Sequence, residues 1–374
     1  MHMVICFDAT HEAKRALDAL IETGQFKDIS EAVSMALVNY EVIQRAVKEC
    51  RQMSNHEIAT IGYVTQRSVQ NGQNEGTHPG HQVTSSPQVT RHIPMLFQLK
   101  ETRPHDELLL PDFSDSLENY KNIGPKDWFF GQWNRFLPAK ATCRALLNIT
   151  YENQRGISIN EVAGKISYAA CELGDYLQMF DARRSSRREE SLAAAFPSTG
   201  SRGAKSRLRY GNQFVGTMKQ GKLMGLPSAL QLAGLDSAKD PNLLLTQAGL
   251  QFATFSNPIL DGTTRSGYEK LSKDEIQFLI QHIQRSVPKE VSAYIAIIDA
   301  IEGGASTPEK MDSFLRARFG LQDERSMTAT FLTTQRTGAI SRMADLGLVG
   351  RKKDGLRVTY HVSQPGKYFR RQIP

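Results

Sequence analysis

Lysine and arginine are concentrated in two stretches of the chain, and these side chains are the ones best suited to contact phosphate groups. Residues 183–222 contain ten Lys and Arg against two Glu, and residues 350–374 contain seven against one Asp. Residues 1–50, by contrast, contain five Lys and Arg against eight Asp and Glu. Because the net charge of +7 is localised in this way, the sequence predicts a polyanionic partner.

The first basic stretch has a Ser-, Gly- and Ala-rich composition, which favours a mobile arm that follows phosphates. A loop that is merely solvated is the alternative interpretation. The cations that we expect to contact phosphate there are Arg183, Arg184, Arg187, Arg188, Arg202, Lys205, Arg207 and Arg209.

Catalysis is a second kind of chemistry to consider, and the sequence contains no complete catalytic motif of the kinds we searched for. The dipeptide Gly221-Lys222 is followed by Leu223, so it lacks the hydroxyl residue of a phosphate-binding loop. Neither H-E-x-x-H nor G-x-S-x-G occurs. Asp112, Glu118 and Lys121 are similar to a nuclease pattern, but two residues separate Glu118 from Lys121 where the pattern has one. We therefore expect a protein that is not an enzyme.

The cysteines and histidines are scattered, so neither a metal site nor a cofactor is expected. No two cysteines have the spacing of zinc ligands, and a chain of 374 residues can bury a core without disulfides. No apolar run approaches the ~20 residues that a membrane span needs, so a cytoplasmic location is expected. Buried free thiols are predicted at Cys6, Cys50, Cys143 and Cys171.

The N-terminal fifty residues have the pattern of a strand followed by two amphipathic helices. The segment FDATHEAKRALDALIETGQFKDISEAVSMALVNY resembles the ribbon-helix-helix family over residues 3–45. The resemblance implies an intertwined homodimer through residues 1–50, with Ser30 anchoring a phosphate at a helix N-terminus. The outward strand residues Val4, Cys6 and Asp8 are poor partners for base edges. We therefore expect this module to serve mainly in dimerisation.

Residues 51–92 have the composition of a disordered polar linker, rich in Gln, Asn, Gly, Ser, Thr and Pro. Downstream of it, five aromatic residues are predicted to belong to a buried core, because few basic residues are interleaved with them. These aromatic residues are Trp128, Phe129, Phe130, Trp133 and Phe136.

Residues 93–262 are predicted to form a winged-helix-like domain with a basic insertion at 183–209. The order of short helix, turn and further helix is that of a helix-turn-helix. Residues 243–245 are predicted to form a strand, after which Thr246 caps a helix that begins at Gln247. Other helices are predicted over residues 138–153, 157–167, 168–180 and 225–236.

Residues 263–374 are predicted to form a second winged-helix-like domain. It ends in a helix and a hairpin that resemble those of winged-helix regulators. The helix is predicted over 333–346 and closed by Gly347, and the hairpin has its turn at Asp354-Gly355. The resemblance implies that the helix enters the DNA major groove and that the hairpin, or wing, touches the backbone. Candidate residues of the helix are Thr334, Gln335, Arg336 and Arg342, and those of the wing are Arg351, Lys352, Lys353 and Arg357.

Two functions follow from these modules, within a fold expected to be mainly α with short hairpin wings. The first is a dimeric transcription regulator that binds double-stranded DNA. The second is a DNA-binding or docking subunit of a larger plasmid-maintenance or anti-foreign-DNA defence assembly, because winged helices also serve as protein-interaction modules. The length of the chain and the absence of reading residues on the ribbon favour the second.

Overall fold

The chain divides into two units at Ser86 and Pro87, and the residues described by our computed structural model all belong to the second unit. The ribbon-helix-helix module predicted for 1–50, with Ser30, lies outside the described residues, as does the predicted linker up to residue 91. The described residues are 92–100, 106–112, 117–183, 191–199, 203–263, 269–321, 328–355 and 357–373.

The described part is mainly helical, which confirms the predicted class. Within these residues no helix is both long and apolar enough to cross a membrane. The helices are α1 Leu137–Asn153, α2 Ile159–Arg183, α3 Gly203–Tyr210, α4 Leu226–Ala229, α5 Gln247–Thr254, α6 Lys273–Ser286, α7 Pro288–Glu302, α8 Pro308–Arg318, α9 Ala329–Asp345 and α10 Gln364–Gln372.

Short strands form one small sheet and two hairpins. In the sheet, β6 pairs with β1 in parallel and with β2 and β5 in antiparallel orientation, and the hairpins are β3–β4 and β7–β8. The strands are β1 Leu109–Leu110, β2 Ile157–Ser158, β3 Thr217–Lys219, β4 Lys222–Met224, β5 Ala233–Leu235, β6 Asn242–Thr246, β7 Val349–Asp354 and β8 Arg357–Val362.

The helices of the first half differ from the predicted ones in two places. The two helices predicted over 157–167 and 168–180 form one continuous helix, α2. The helix predicted over 225–236 is reduced to the single turn α4, and β5 follows. The predicted cap is confirmed, because the Thr246 hydroxyl accepts a hydrogen bond from the amide of Gly249 at 3.0 Å.

Helix α1 lies at the centre of the core, and it carries buried polar groups on one face. Lys140, Arg144 and Asn148 are spaced by four residues, which places them on the same side of the helix, and all three are fully buried. The Lys140 ammonium lies 2.9 Å from the Glu275 carboxylate, and the Arg144 guanidinium donates to Asp261. These bonds connect α1 to α6 and to the segment that precedes it.

The domain boundary predicted between residues 262 and 263 lies inside this second unit. Side chains from its two sides bond to one another in the core. The indole of Trp128 donates to the Ser292 hydroxyl at 3.2 Å, and the Lys140–Glu275 pair also joins residues from the two sides. Four of the five aromatic residues predicted to be core are buried, whereas Phe130 is 39% exposed.

The C-terminal helix and hairpin form close to where the sequence predicts them. Helix α9 begins four residues earlier than predicted, at Ala329, where the Thr328 hydroxyl caps it by accepting from the Phe331 amide. Gly347 has a φ of 69°, as expected for a residue that closes a helix. In the hairpin Asp354 pairs with Arg357, so Asp354 is the last residue of β7 and not part of the turn as predicted.

Candidate nucleic-acid interface

The β7–β8 hairpin carries the predicted wing cations on the surface. Arg351, Lys352, Lys353 and Arg357 are all exposed. Side chains alternate between the two faces of a strand, so Arg351 and Lys353 extend from one face of β7 and Lys352 from the other. The hairpin therefore presents positive charge on both faces near its tip.

The base of the hairpin is fixed to the core, so the cations project from a supported element. Val349 is buried, and the backbone amide of Tyr360 donates to the carbonyl of Ser306, between α7 and α8, at 2.8 Å. The ring of His361 lies against Gly350, where a Cβ atom would approach it to 2.3 Å. The Ser363 hydroxyl bonds to the carbonyl of Leu348 at 2.9 Å, which joins the end of β8 to the start of β7.

Three of the four residues predicted to read DNA from α9 are internal, so that prediction is wrong for them. Gln335, Arg336 and Arg342 are 2%, 3% and 0% exposed. The guanidinium of Arg342 donates to both carboxylate oxygens of Glu290 and to the backbone carbonyl of Trp133. These groups cannot reach a base edge while the fold is intact, because their donors are already occupied in the core.

The other two buried side chains are also occupied by internal partners. Gln335 accepts from the backbone amide of Gly131 at 2.6 Å and donates to the carbonyl of Trp128 at 3.3 Å. Arg336 donates to the Asp312 carboxylate on α8 at 2.6 and 3.3 Å. Thr334, the fourth candidate, is partly exposed and donates to the carbonyl one helical turn earlier.

Residues 125–136, which we call the covering segment, explain why these side chains are internal. The segment packs on α9 at two glycines, and the backbones meet there. A Cβ atom at Gly338 would lie 2.3 Å from the carbonyl oxygen of Gly131, and one at Gly131 would lie 2.1 Å from the carbonyl oxygen of Thr334. The face of α9 predicted to enter a major groove is thus occupied by the chain itself.

The cations of the first basic stretch are only partly described. On α3, Lys205 and Arg209 are exposed, and the guanidinium of Arg207 lies 5.7 Å from the ring centre of Tyr168, within the range of a cation–π contact. Arg183 is the last residue of α2. The candidates outside the described residues are Arg184, Arg187, Arg188 and Arg202.

The described residues also bear on metal ligation and on the reactivity of the thiols. They contain no group of three His, Cys, Asp or Glu side chains arranged to hold a metal ion. Cys143 and Cys171 are buried and unpaired. Burial raises the pKa of the Cys143 thiol to about 12 and that of Cys171 to about 11, so both remain protonated and unreactive at neutral pH.

A cavity of about 600 Å³ between α9, α3 and the covering segment is the feature that the sequence did not reveal. Its polar residues include Gln132, Arg209, Gln213 and Thr337. They come from three distant parts of the chain, so no local spacing could have predicted their juxtaposition.

A comparison of the chain with protein-family models, with curated proteins and with solved structures finds no match.

Proposed function

We propose that the protein binds double-stranded DNA through the β7–β8 wing and acts as a dimeric transcription regulator. The observation that supports this most directly is the placement of Arg351, Lys352, Lys353 and Arg357 on an exposed hairpin. Cations at such a tip can displace the counterions condensed on DNA, which is the main source of affinity for phosphate. Dimerisation through residues 1–50 is part of the proposal and rests on the sequence alone.

The winged-helix assignment belongs to the same proposal. The order α7, α8, α9 and then the β7–β8 hairpin is that of a winged helix, and the Tyr360–Ser306 bond joins the hairpin to the connection after the first helix. The first half contains α1, β2, α2, α4 and the β5–β6 pair in that order, with α3 and the β3–β4 hairpin inserted between α2 and α4, and both β2 and β5 pair with β6. Two such units in one chain support a DNA-binding role by analogy of architecture.

The proposed mode of contact is through the DNA backbone more than through base edges. Arg336 and Arg342, the cations predicted to contact bases, are bonded to Asp312 and Glu290 inside the fold. Phosphate contacts fix the position and orientation of a protein on a duplex but carry no direct sequence information. We therefore infer that the wing supplies affinity with little sequence preference.

The same observation favours the second candidate function, a DNA-binding or docking subunit of a larger assembly. Such a subunit needs affinity for a duplex or for a partner protein and does not need to read an operator. The internal position of Gln335, Arg336 and Arg342 removes the base contacts that a regulator would require from α9. The two candidates differ in whether binding depends on DNA sequence, which can be measured.

The wing is tested by replacing Arg351, Lys352 and Lys353 with Ala. The slope of log affinity against log salt for duplex DNA should become shallower by about 0.9 for each lost phosphate contact, hence by up to about 2.7. The matched control replaces three exposed lysines outside both basic stretches, Lys239, Lys273 and Lys289, and removes the same charge. Fluorescence anisotropy with a labelled duplex at several salt concentrations gives both slopes.

An unchanged salt slope in the wing variant, with its helix content intact by circular dichroism, would place the DNA surface elsewhere. An equal change in the wing variant and in the control would mean that net charge matters and the hairpin does not. A similar loss on specific and random duplexes is expected because the contacts are to phosphate. A preferred site found by genome-wide footprinting of the tagged protein would favour the regulator over the assembly subunit.

A further inference from the structure

The cavity between α3, α9 and the covering segment has the size of a small-molecule site. Its volume of about 600 Å³ lies within the roughly 300–1,000 Å³ typical of ligand pockets. One wall is the exposed face of α9 with Thr333 and Thr337, and the opposite wall is α3 and the π-helical turn Gly211–Val215 that continues it. Turns of this kind are rare and are frequently found at functional sites.

The charge of the cavity favours an anion. Among the described residues that line it, Arg209 is the one charged side chain, and no carboxylate is present. Arg209 is exposed and makes no ion pair or hydrogen bond with any residue in the described part of the chain. The nearby carboxylate of Asp312 is already bonded to Arg336 and to the Thr333 hydroxyl. A ligand anion would therefore meet a cation with all its donors available.

The remaining polar groups suit a ligand that has both donors and acceptors. The side-chain amide of Gln213 donates through Nε2 to the side-chain oxygen Oε1 of Gln132 at 2.6 Å, which orders two amides across the cavity. Asn134 adds a third amide. Such amides can pair with the donor and acceptor edges of a nucleobase. Phe196 and Phe214 also line the cavity, and because they are only 8% and 3% exposed they add a small apolar area.

We propose that this cavity binds a nucleoside monophosphate, with the phosphate at Arg209 and the Thr337 hydroxyl of α9, and the base among the amides. The phosphate group takes the one available cation and can accept from the Thr337 hydroxyl. The base takes the amides of Gln132, Gln213 and Asn134. The same chemistry is offered by a free mononucleotide and by the 5′-terminal nucleotide of a strand. This site is independent of the wing and does not rest on the proposed function.

The test uses the full-length protein and isothermal titration with adenosine, guanosine, cytidine and uridine monophosphates. Arg209→Gln removes the charge and should weaken binding by about ten- to a hundredfold, since a hydrogen bond to a charged group contributes roughly 1.5–3 kcal/mol. Lys205→Gln is the matched control, because Lys205 is exposed one turn earlier on the same helix and does not line the cavity. It should leave binding within about twofold of the wild type. Thr337→Val should weaken binding by about threefold to tenfold through loss of one hydrogen bond.

Three results would overturn the proposal. The proposal would be wrong if the protein bound none of the four monophosphates and also failed to bind a 5′-phosphorylated oligothymidylate. Equal weakening in Arg209→Gln and Lys205→Gln would show diffuse attraction to the surface of α3. If nucleosides bound with the same affinity as their monophosphates, the phosphate would contribute nothing to binding, and Arg209 would have no role in the site.

Two further arms identify the source of the phosphate and separate this site from the wing. Binding of the oligothymidylate with the same loss in Arg209→Gln, but no binding of mononucleotides, would assign the site to a strand end. A wing variant with Arg351, Lys352 and Lys353 replaced should bind monophosphates as the wild type does. Failure of one proposal is therefore distinguishable from failure of the other.

Discussion

The buried charged residues in the described part of the chain are paired, and each pair has a specific structural role. Arg342 and Glu290 are both fully buried, and their two hydrogen bonds join α9 to the start of α7. The guanidinium also lies 5.5 Å from the ring centre of Phe129 on the covering segment. Removing a charge from water is costly unless a partner of good geometry compensates for it. Loss of one member therefore leaves the other uncompensated.

Arg342→Gln should lower the free energy of unfolding by about 3–5 kcal/mol, the usual effect of breaking a buried ion pair. The loss arises because Glu290 stays buried without its partner. Lys352→Gln, on the exposed hairpin, should change the stability by less than about 0.5 kcal/mol. Urea denaturation followed by circular dichroism compares the two variants with the wild type. If the Arg342→Gln protein had normal stability but had lost its affinity for DNA, we would conclude that Arg342 contacts DNA.

The packing of elements against α9 depends on the absence of two side chains. Gly338 lies in the middle of the helix, where alanine is intrinsically more favourable than glycine. It also lies against the backbone of Gly131 in the covering segment. The close approach lets the Trp133 carbonyl reach Arg342 and the Gly131 amide reach Gln335. At position 338 glycine therefore has a lower helix propensity than alanine but allows the backbones of α9 and the covering segment to touch.

Gly338→Ala should destabilise the protein by about 1–3 kcal/mol, since the added methyl group would overlap the covering segment. Gly164→Ala is the matched control, because Gly164 is also within a helix, α2, and nothing lies within 4 Å of its Cβ position. That substitution should stabilise the protein by about 0.5–1 kcal/mol. Thermal unfolding measures both. A stabilising Gly338→Ala would mean that the covering segment is not seated on α9.

Local patterns predicted several helix ends and the C-terminal hairpin well, but they did not predict which faces are buried. The α9–β7–β8 sequence, the cap at Thr246 and the closing Gly347 all follow from short-range signals. The burial of Arg342 depends on Trp133 and Glu290, which lie far away in the sequence. No periodicity within α9 distinguishes an arginine that faces DNA from one that faces a carboxylate. The cavity was missed for the same reason.

At the scale of the whole molecule, α1 holds both halves of the described unit together. Lys140 bonds to Glu275 on α6 and to the carbonyl of Phe255. Glu275 also accepts from the backbone amide of Ser272 and so completes the capping box of α6. One carboxylate therefore serves both the start of a helix and the centre of the core. We expect the described unit to unfold in a single cooperative transition.

The titration of Lys140 should make the free energy of unfolding depend on pH. Burial lowers the pKa of this ammonium from 10.5 to about 8, although the Glu275 carboxylate opposes the shift. Below pH 8 the folded and unfolded chains are both protonated, so the burial penalty is constant. Between pH 8 and 10.5 the unfolded chain keeps a proton that the folded chain has lost, and stability rises with pH.

The measurement is the difference in unfolding free energy between the wild type and Lys140→Met, because other titrating groups are shared. This difference should move in favour of the wild type by roughly 3 kcal/mol between pH 8 and 10.5. Urea denaturation at intervals of half a pH unit gives the curve. A flat difference across this window would mean that Lys140 keeps its proton in the folded state.

The covering segment contains both tryptophans of the chain, Trp128 and Trp133. Each indole is almost completely shielded from water, and Trp128 meets the ring of Phe319 edge-on at 5.8 Å. An indole emits at shorter wavelength in an apolar site than in water. The intrinsic fluorescence of this protein therefore reports on one twelve-residue strip, and separation of that strip from α9 would appear as a red shift without any label.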